Sequence, residues 1–132
     1  MRFLSIYKAA ETNVPPTQDE MDAMGRLIEK SMKSGVLIAT EGCLPSITGA
    51  RIRLEKGKVT ITDGPFTESK ELIAGFALLQ TRSKEEAIEA CKEFLSVAGG
   101  GECELRQIYE GPAGDCSSEA AAEQWAAAEA RA

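Results

Sequence analysis

Six side chains hold whatever chemistry this sequence can do: Glu41, Arg51, Asp63, Phe66, Glu68 and Lys70. Glu41 and Asp63 each precede a glycine, in Glu41-Gly42 and Asp63-Gly64, where the backbone leaves room for a ligand. If the two carboxyl groups share a pocket, one is raised in pKa and serves as proton donor or base. They are the catalytic candidates if the chain is an enzyme. Arg51 is suited to gripping an anionic group by bidentate hydrogen bonds, with Phe66, Glu68 and Lys70 completing a ligand-binding set. The same residues also read as a structural Arg–carboxylate network pinning a loop. Lys70 lies in a polar run without the burial that would lower its pKa. Thr67 and Ser69 have no visible base beside them. The chain contains no histidine, which removes the usual acid/base near neutral pH, the Ser-His and Cys-His pairs and the commonest metal ligand. Carboxylates alone show no cation-ligand spacing, so no metal or cofactor is expected.

The elements that must position these residues can be read from periodicity. Residues 2–8 alternate as a strand. After a loop ending in Pro15-Pro16, Thr17-x-x-Glu20 is a capping box that opens a helix. Met21, Met24, Leu27, Ile28 and Met32 form its apolar stripe, and Gly35 is its stop. Residues 36–40 are a second strand, ending at Glu41-Gly42, and 43–49 are a loop. Residues 50–54 and 58–62 alternate around Glu55-Lys56-Gly57 as a hairpin, with one apolar face expected to lie on a core. Residues 63–70 are turn-rich. Asp63, Gly64 and Pro65 are expected to close a tight turn through the Asp63 carboxylate. The apolar run 71–80 reads as a strand. Ser83-x-x-Glu86 opens a second helix with Cys91 on its apolar face, Gly99-Gly100-Gly101 ends it, and 102–110 alternate as a last strand.

This order, β-α-β-β-β-β-α-β, reduces to the split β-α-β units of a ferredoxin-like α+β fold once the central hairpin is set aside. The apolar excess in 72–79 exceeds what one helix layer covers. Pairing two sheets about a two-fold axis would bury the second face, so a homodimer is expected. Residues 1–110 form the expected domain. Residues 111–132 form an alanine-rich helical tail whose one large anchor is Trp125.

With 132 residues, 43% of them hydrophobic, the chain can bury a core without disulfides. A net charge of −6 without any cluster of Lys and Arg argues against a nucleic-acid partner. No apolar run approaches a membrane span, and residues 1–7 lack the core of a signal peptide. The four cysteines make no CxxC pair, and a cytoplasmic protein with free thiols is expected.

The run Thr62-Asp63-Gly64-Pro65-Phe66-Thr67-Glu68-Ser69-Lys70-Glu71, followed by a strand containing Gly75-Phe76, resembles the signature of the YCII-related, or DGPF, family. Glu41-Gly42-Cys43-Leu44-Pro45 is similar to that family's Glu-Gly-Leu-x-Pro loop with one residue inserted. The resemblance covers residues 1–110. It implies a ferredoxin-like subunit that pairs into a dimeric α/β barrel. The His–Asp pair proposed for the broader group has no counterpart here. Two functions compete. One is a non-catalytic module that binds a small polar or anionic ligand or serves a regulatory role. The other is a small cofactor-free enzyme using carboxylates at the DGPF loop.

Overall fold

A computed structural model describes residues 1–110 and 118–131. Its elements are β1 (Arg2–Ala9), α1 (Gln18–Lys33), β2 (Leu37–Gly42), β3 (Ala50–Glu55), β4 (Lys58–Asp63), β5 (Leu72–Gln80), α2 (Lys84–Ala98), β6 (Glu102–Gln107) and α3 (Ser118–Glu129). A 3-10 turn, Ser46–Thr48, interrupts the loop after β2. Cys116 and the run 111–114 lie outside the described residues.

Local chemistry accounts for the helix boundaries. The Thr17 hydroxyl accepts from the Glu20 amide at 3.2 Å and donates to the Glu20 carboxylate at 3.1 Å. Ser83 accepts likewise from the Glu86 amide at 3.1 Å. Gly99 ends α2 in the left-handed region, at a φ of 88° that a side chain would resist.

Four strands form one antiparallel sheet in the order β2-β5-β1-β6. This is the ferredoxin-like arrangement: the first and third strands of the split units sit at the centre, flanked by the last and the second. The fold is α+β, as the element order implied. Register places Phe3 opposite Leu79 and Ser5 opposite Ala77 on one sheet face. The helices pack there: Cys91 of α2 meets Ser5 at 3.4 Å, and Phe94 stands edge-on to Tyr7 with ring centroids 4.9 Å apart. Phe3, Leu37, Leu79, Ala87 and Cys91 are the buried apolar core. Cys91 is therefore a core residue, as its place on the apolar helix face indicated.

The alternate positions Leu4 and Ile6 pair with Leu78 and Phe76 on the other sheet face, where Phe76 is 40% exposed. The two helices cover only the first face.

The hairpin corrects an expectation. Strands β3 and β4 form their own two-stranded sheet, and every residue in them is exposed. Ile52 pairs with Ile61 and Leu54 with Val59, making one apolar face, but no core lies under it in the subunit. Alternation reveals which face is apolar and says nothing of what covers it. The turn has Lys56 and Gly57 both at positive φ, 50° and 77°, which matches the right-handed twist of the paired strands.

Helix α3 meets the end of the domain through polar bonds. The Gln124 amide brackets Glu110, accepting from its N–H at 2.8 Å and donating to its carbonyl at 2.7 Å. Trp125 Nε1 donates to the Tyr109 hydroxyl while Trp125 stays 60% exposed. The anchor anticipated at Trp125 thus acts by hydrogen bonding more than by burial. Among the described residues, no helix is long and apolar enough to cross a membrane.

Candidate functional site at the DGPF loop

The loop that follows β4 is built on the loop that precedes β3. The Gly64 amide donates to the Gly49 carbonyl at 3.0 Å. A Cβ on Gly64 would lie 1.7 Å from the Ser46 carbonyl oxygen, so only glycine permits this approach. The Gly64–Pro65 bond is cis. The Phe66 amide then donates to the Ser46 hydroxyl at 3.0 Å. Ser46 is itself held by Glu11, whose carboxylate accepts from the Ser46 amide and, at 2.8 Å, from its hydroxyl. The turn is thus closed by Gly64, Gly49 and Ser46. Among the described residues, no hydrogen bond reaches the Asp63 carboxylate expected to close it.

Arg51 leaves β3 next to this loop. Its guanidinium carbon lies 4.0 Å from the centre of the Phe66 ring, within the range of a cation–π contact. The guanidinium also pairs with the Glu68 carboxylate and donates to the Ser69 hydroxyl at 3.3 Å. The Glu68 carboxyl is held below the usual carboxylate range, first by its own backbone amide and then by Arg51. Glu68 therefore stays ionised near neutral pH. Ser69 in turn donates its amide to the Phe66 carbonyl at 3.2 Å, keeping the segment 66–69 compact.

The structure brings Arg51, Phe66 and Glu68 into one cluster. Lys70 follows on the exposed end of the same loop, outside any ion pair among the described residues. Asp63 is exposed at the end of β4, opposite Ala50. Glu41 lies elsewhere, at the end of β2 opposite Phe76, where it borders a cavity on the helix side of the sheet. Asp63, Arg51, Phe66, Glu68 and Lys70 do not border that cavity. No group of three or more metal-ligating side chains exists among the described residues.

Two residues of the site, Glu11 and Ser46, were not anticipated from the sequence, and Ser69, weighed there only as a nucleophile, enters the site as a hydrogen-bond acceptor for Arg51. Pro45-Ser46-x-Thr48 does carry a local signal, since Thr48 bonds back to the Pro45 carbonyl at 3.0 Å as a turn-forming hydroxyl does. Glu11 carries none, because its partner lies 35 positions away in sequence.

A curated relative, an uncharacterised protein of Rhizobium meliloti (strain 1021), is 31% identical over 64 residues, 48% of this chain. The match spans 52% of that relative, so the chain spans about half the length of the curated protein it matches. Among solved structures, one similar chain is a 5-chloro-2-hydroxyhydroquinone dehydrochlorinase from Burkholderia phenoliruptrix, at 14% identity and a TM-score of 0.47, over 84% of this chain and 96% of that one. Another is a divalent cation tolerance protein from Thermus thermophilus, at 11% identity and a TM-score of 0.40, over 85% and 88% of the two chains. The model of the YCII-related domain matches residues 1–110, the span that holds the sheet, both packed helices and the DGPF loop. The chain belongs to the YCII-related domain family.

Proposed function

We propose that the chain is a homodimeric, non-catalytic module that binds a small polar or anionic ligand at the DGPF loop. The placement of Arg51 carries this reading. Its guanidinium rests on Phe66, reaches the Ser69 hydroxyl, and keeps 45% of its side-chain surface open to solvent. The Glu68 carboxylate bound to it marks where a ligand carboxylate or phosphate would sit. The exposed Lys70 adds a second positive charge to the same loop. The enzyme alternative has less support because its two catalytic candidates, Glu41 and Asp63, lie on strands of different sheets and do not border one cavity, and because the chain has no histidine. Residues 1–110 would be the binding domain and 111–132 an appended tail.

The dimer is supported by the sheet face carrying Leu4, Ile6, Leu78 and Phe76, which the subunit's own helices leave uncovered. The same face of a second copy is a self-complementary cover.

Titration calorimetry with inorganic phosphate and with succinate tests the site. Saturable binding that is lost in Arg51→Ala is the expected result, and no binding of either anion would overturn it. Sedimentation tests the dimer: the wild type should be dimeric at micromolar concentration and Phe76→Asp monomeric.

A further inference from the structure

Helices α1 and α2 do not close onto the sheet along their whole length. A cavity of about 900 Å³ lies between them and strands β1, β2 and β5, within the ~300–1,000 Å³ range of small-molecule sites. Its roof is the apolar stripe of α1, where Met24, Leu27 and Ile28 are half-buried and no residue of the helix is fully buried. Its floor includes Leu37 and Leu79.

The polar groups along this wall are already engaged. Ser5 bonds with Cys91, the Tyr7 hydroxyl donates to the Gly100 carbonyl at 2.8 Å, and the Thr40 hydroxyl donates to the Phe76 carbonyl at 2.8 Å. A ligand rich in hydroxyls or amides would find few partners here and would leave its own polar groups unsatisfied, which is costly in a buried site. The charges at the rim are engaged as well. Lys30 of α1 pairs with Glu93 of α2 at 2.6 Å, and Lys92 pairs with Glu89 at 2.8 Å. Glu86 at the border pairs with Arg82 at 3.2 Å, and the side chain of Glu41, the cross-strand partner of Phe76, is turned by the register to the other sheet face. Among the described residues, an anionic head group would meet no uncommitted cation there.

We infer that this cavity is a second binding site, separate from the DGPF loop, and that its ligand is a neutral, largely hydrocarbon small molecule. The Lys30–Glu93 pair joins the two helices beside it. The flexible methionine in the roof suits a site that adapts to ligand shape.

Binding of the neutral fluorescent probe N-phenyl-1-naphthylamine to the full chain tests this, with 1-decanol and decanoate as competitors of equal chain length. One saturable site is expected, with decanol displacing the probe at least tenfold more effectively than decanoate. Two variants that fill the cavity from different walls, Ala90→Phe and Leu27→Trp, should each weaken probe binding at least tenfold. Circular dichroism identifies which variant folds, and either one suffices. Arg51→Ala should leave probe binding unchanged, which separates this site from the anion site. The inference is overturned if the probe does not bind, or if decanoate competes as well as decanol. It is also overturned if binding survives a folded cavity-filling variant; loss in Ile61→Asp, on the exposed apolar face of the hairpin, would then place the probe on that surface.

Discussion

The Arg51 guanidinium lies 4.0 Å above the Phe66 ring, joining the first strand of the hairpin to the loop that leaves the second. A lysine ammonium at this position would keep the charge but lose the planar stacking and the fork that reaches both Glu68 and Ser69. Arg51→Lys should lower stability by about 0.5–1 kcal/mol, the range of an exposed cation–π contact. Arg53→Lys is the control, because Arg53 makes one exposed pair with Glu55 at 3.5 Å, and should change stability by only a few tenths of a kcal/mol or less. Urea midpoints of the two variants provide the comparison.

Two glycines should respond in opposite directions to alanine. At Gly64 the new Cβ would meet the Ser46 carbonyl oxygen at 1.7 Å, so backbone must move. A loss of about 1–3 kcal/mol or more is expected. At Gly25, within α1, nothing lies within 4 Å of the new Cβ. There alanine should stabilise by about 0.5–1 kcal/mol, by relieving the entropy cost of a helical glycine. Thermal unfolding of both variants checks the sign.

Stability should fall on both the acid and alkaline sides through one ion pair. Lys8 and Glu104 meet at 3.0 Å across β1 and β6. Lys8, first by hydrogen bonding to it, holds the Glu104 carboxyl below its ordinary value of 4.5. A lowered carboxyl contributes stability above that value and loses it as pH falls through the lower folded pKa. The Lys8 ammonium is raised above its ordinary value of 10.5, first by its hydrogen bond to Glu104. Its contribution is complete below 10.5 and is lost as pH rises through the higher folded pKa. Glu104→Gln should therefore flatten both limbs of a plot of urea midpoint against pH. An unchanged acid limb would show that other carboxyls dominate it.

The two helix caps should cost similar amounts to remove. Thr17→Ala and Ser83→Ala each leave a first-turn amide without its side-chain acceptor, at about 1 kcal/mol apiece. Chemical denaturation measures both. A loss near zero at Ser83 would mean that water replaces the hydroxyl there.

The parts legible in the sequence are those whose causes are local. The Thr17 and Ser83 caps, the Gly35 and Gly99 stops, and the turn at Lys56-Gly57 each involve residues within a few positions of one another. Once six strands and two helices are placed in order, short connections and hydrogen-bond pairing leave few arrangements, and the ferredoxin-like sheet is among them. The grouping of Arg51 with Glu68 was within reach for the same reason, because a hairpin brings its two ends together.

Tertiary structure alone decided the rest. Glu11 reaches Ser46 only because the loop after β1 passes beside the loop after β2, and no periodicity encodes that approach. Glu41 and Asp63 both end strands, but their strands lie in different sheets, so their common position at strand ends does not give them a common pocket. The apolar face of the hairpin was visible as alternation, yet its exposure was not, because alternation describes a surface and not its cover. The cavity beneath α1 was equally hidden. The stripe from Met21 to Met32 shows that α1 has an apolar face, but how closely that face meets the sheet depends on the volumes of side chains from four other elements.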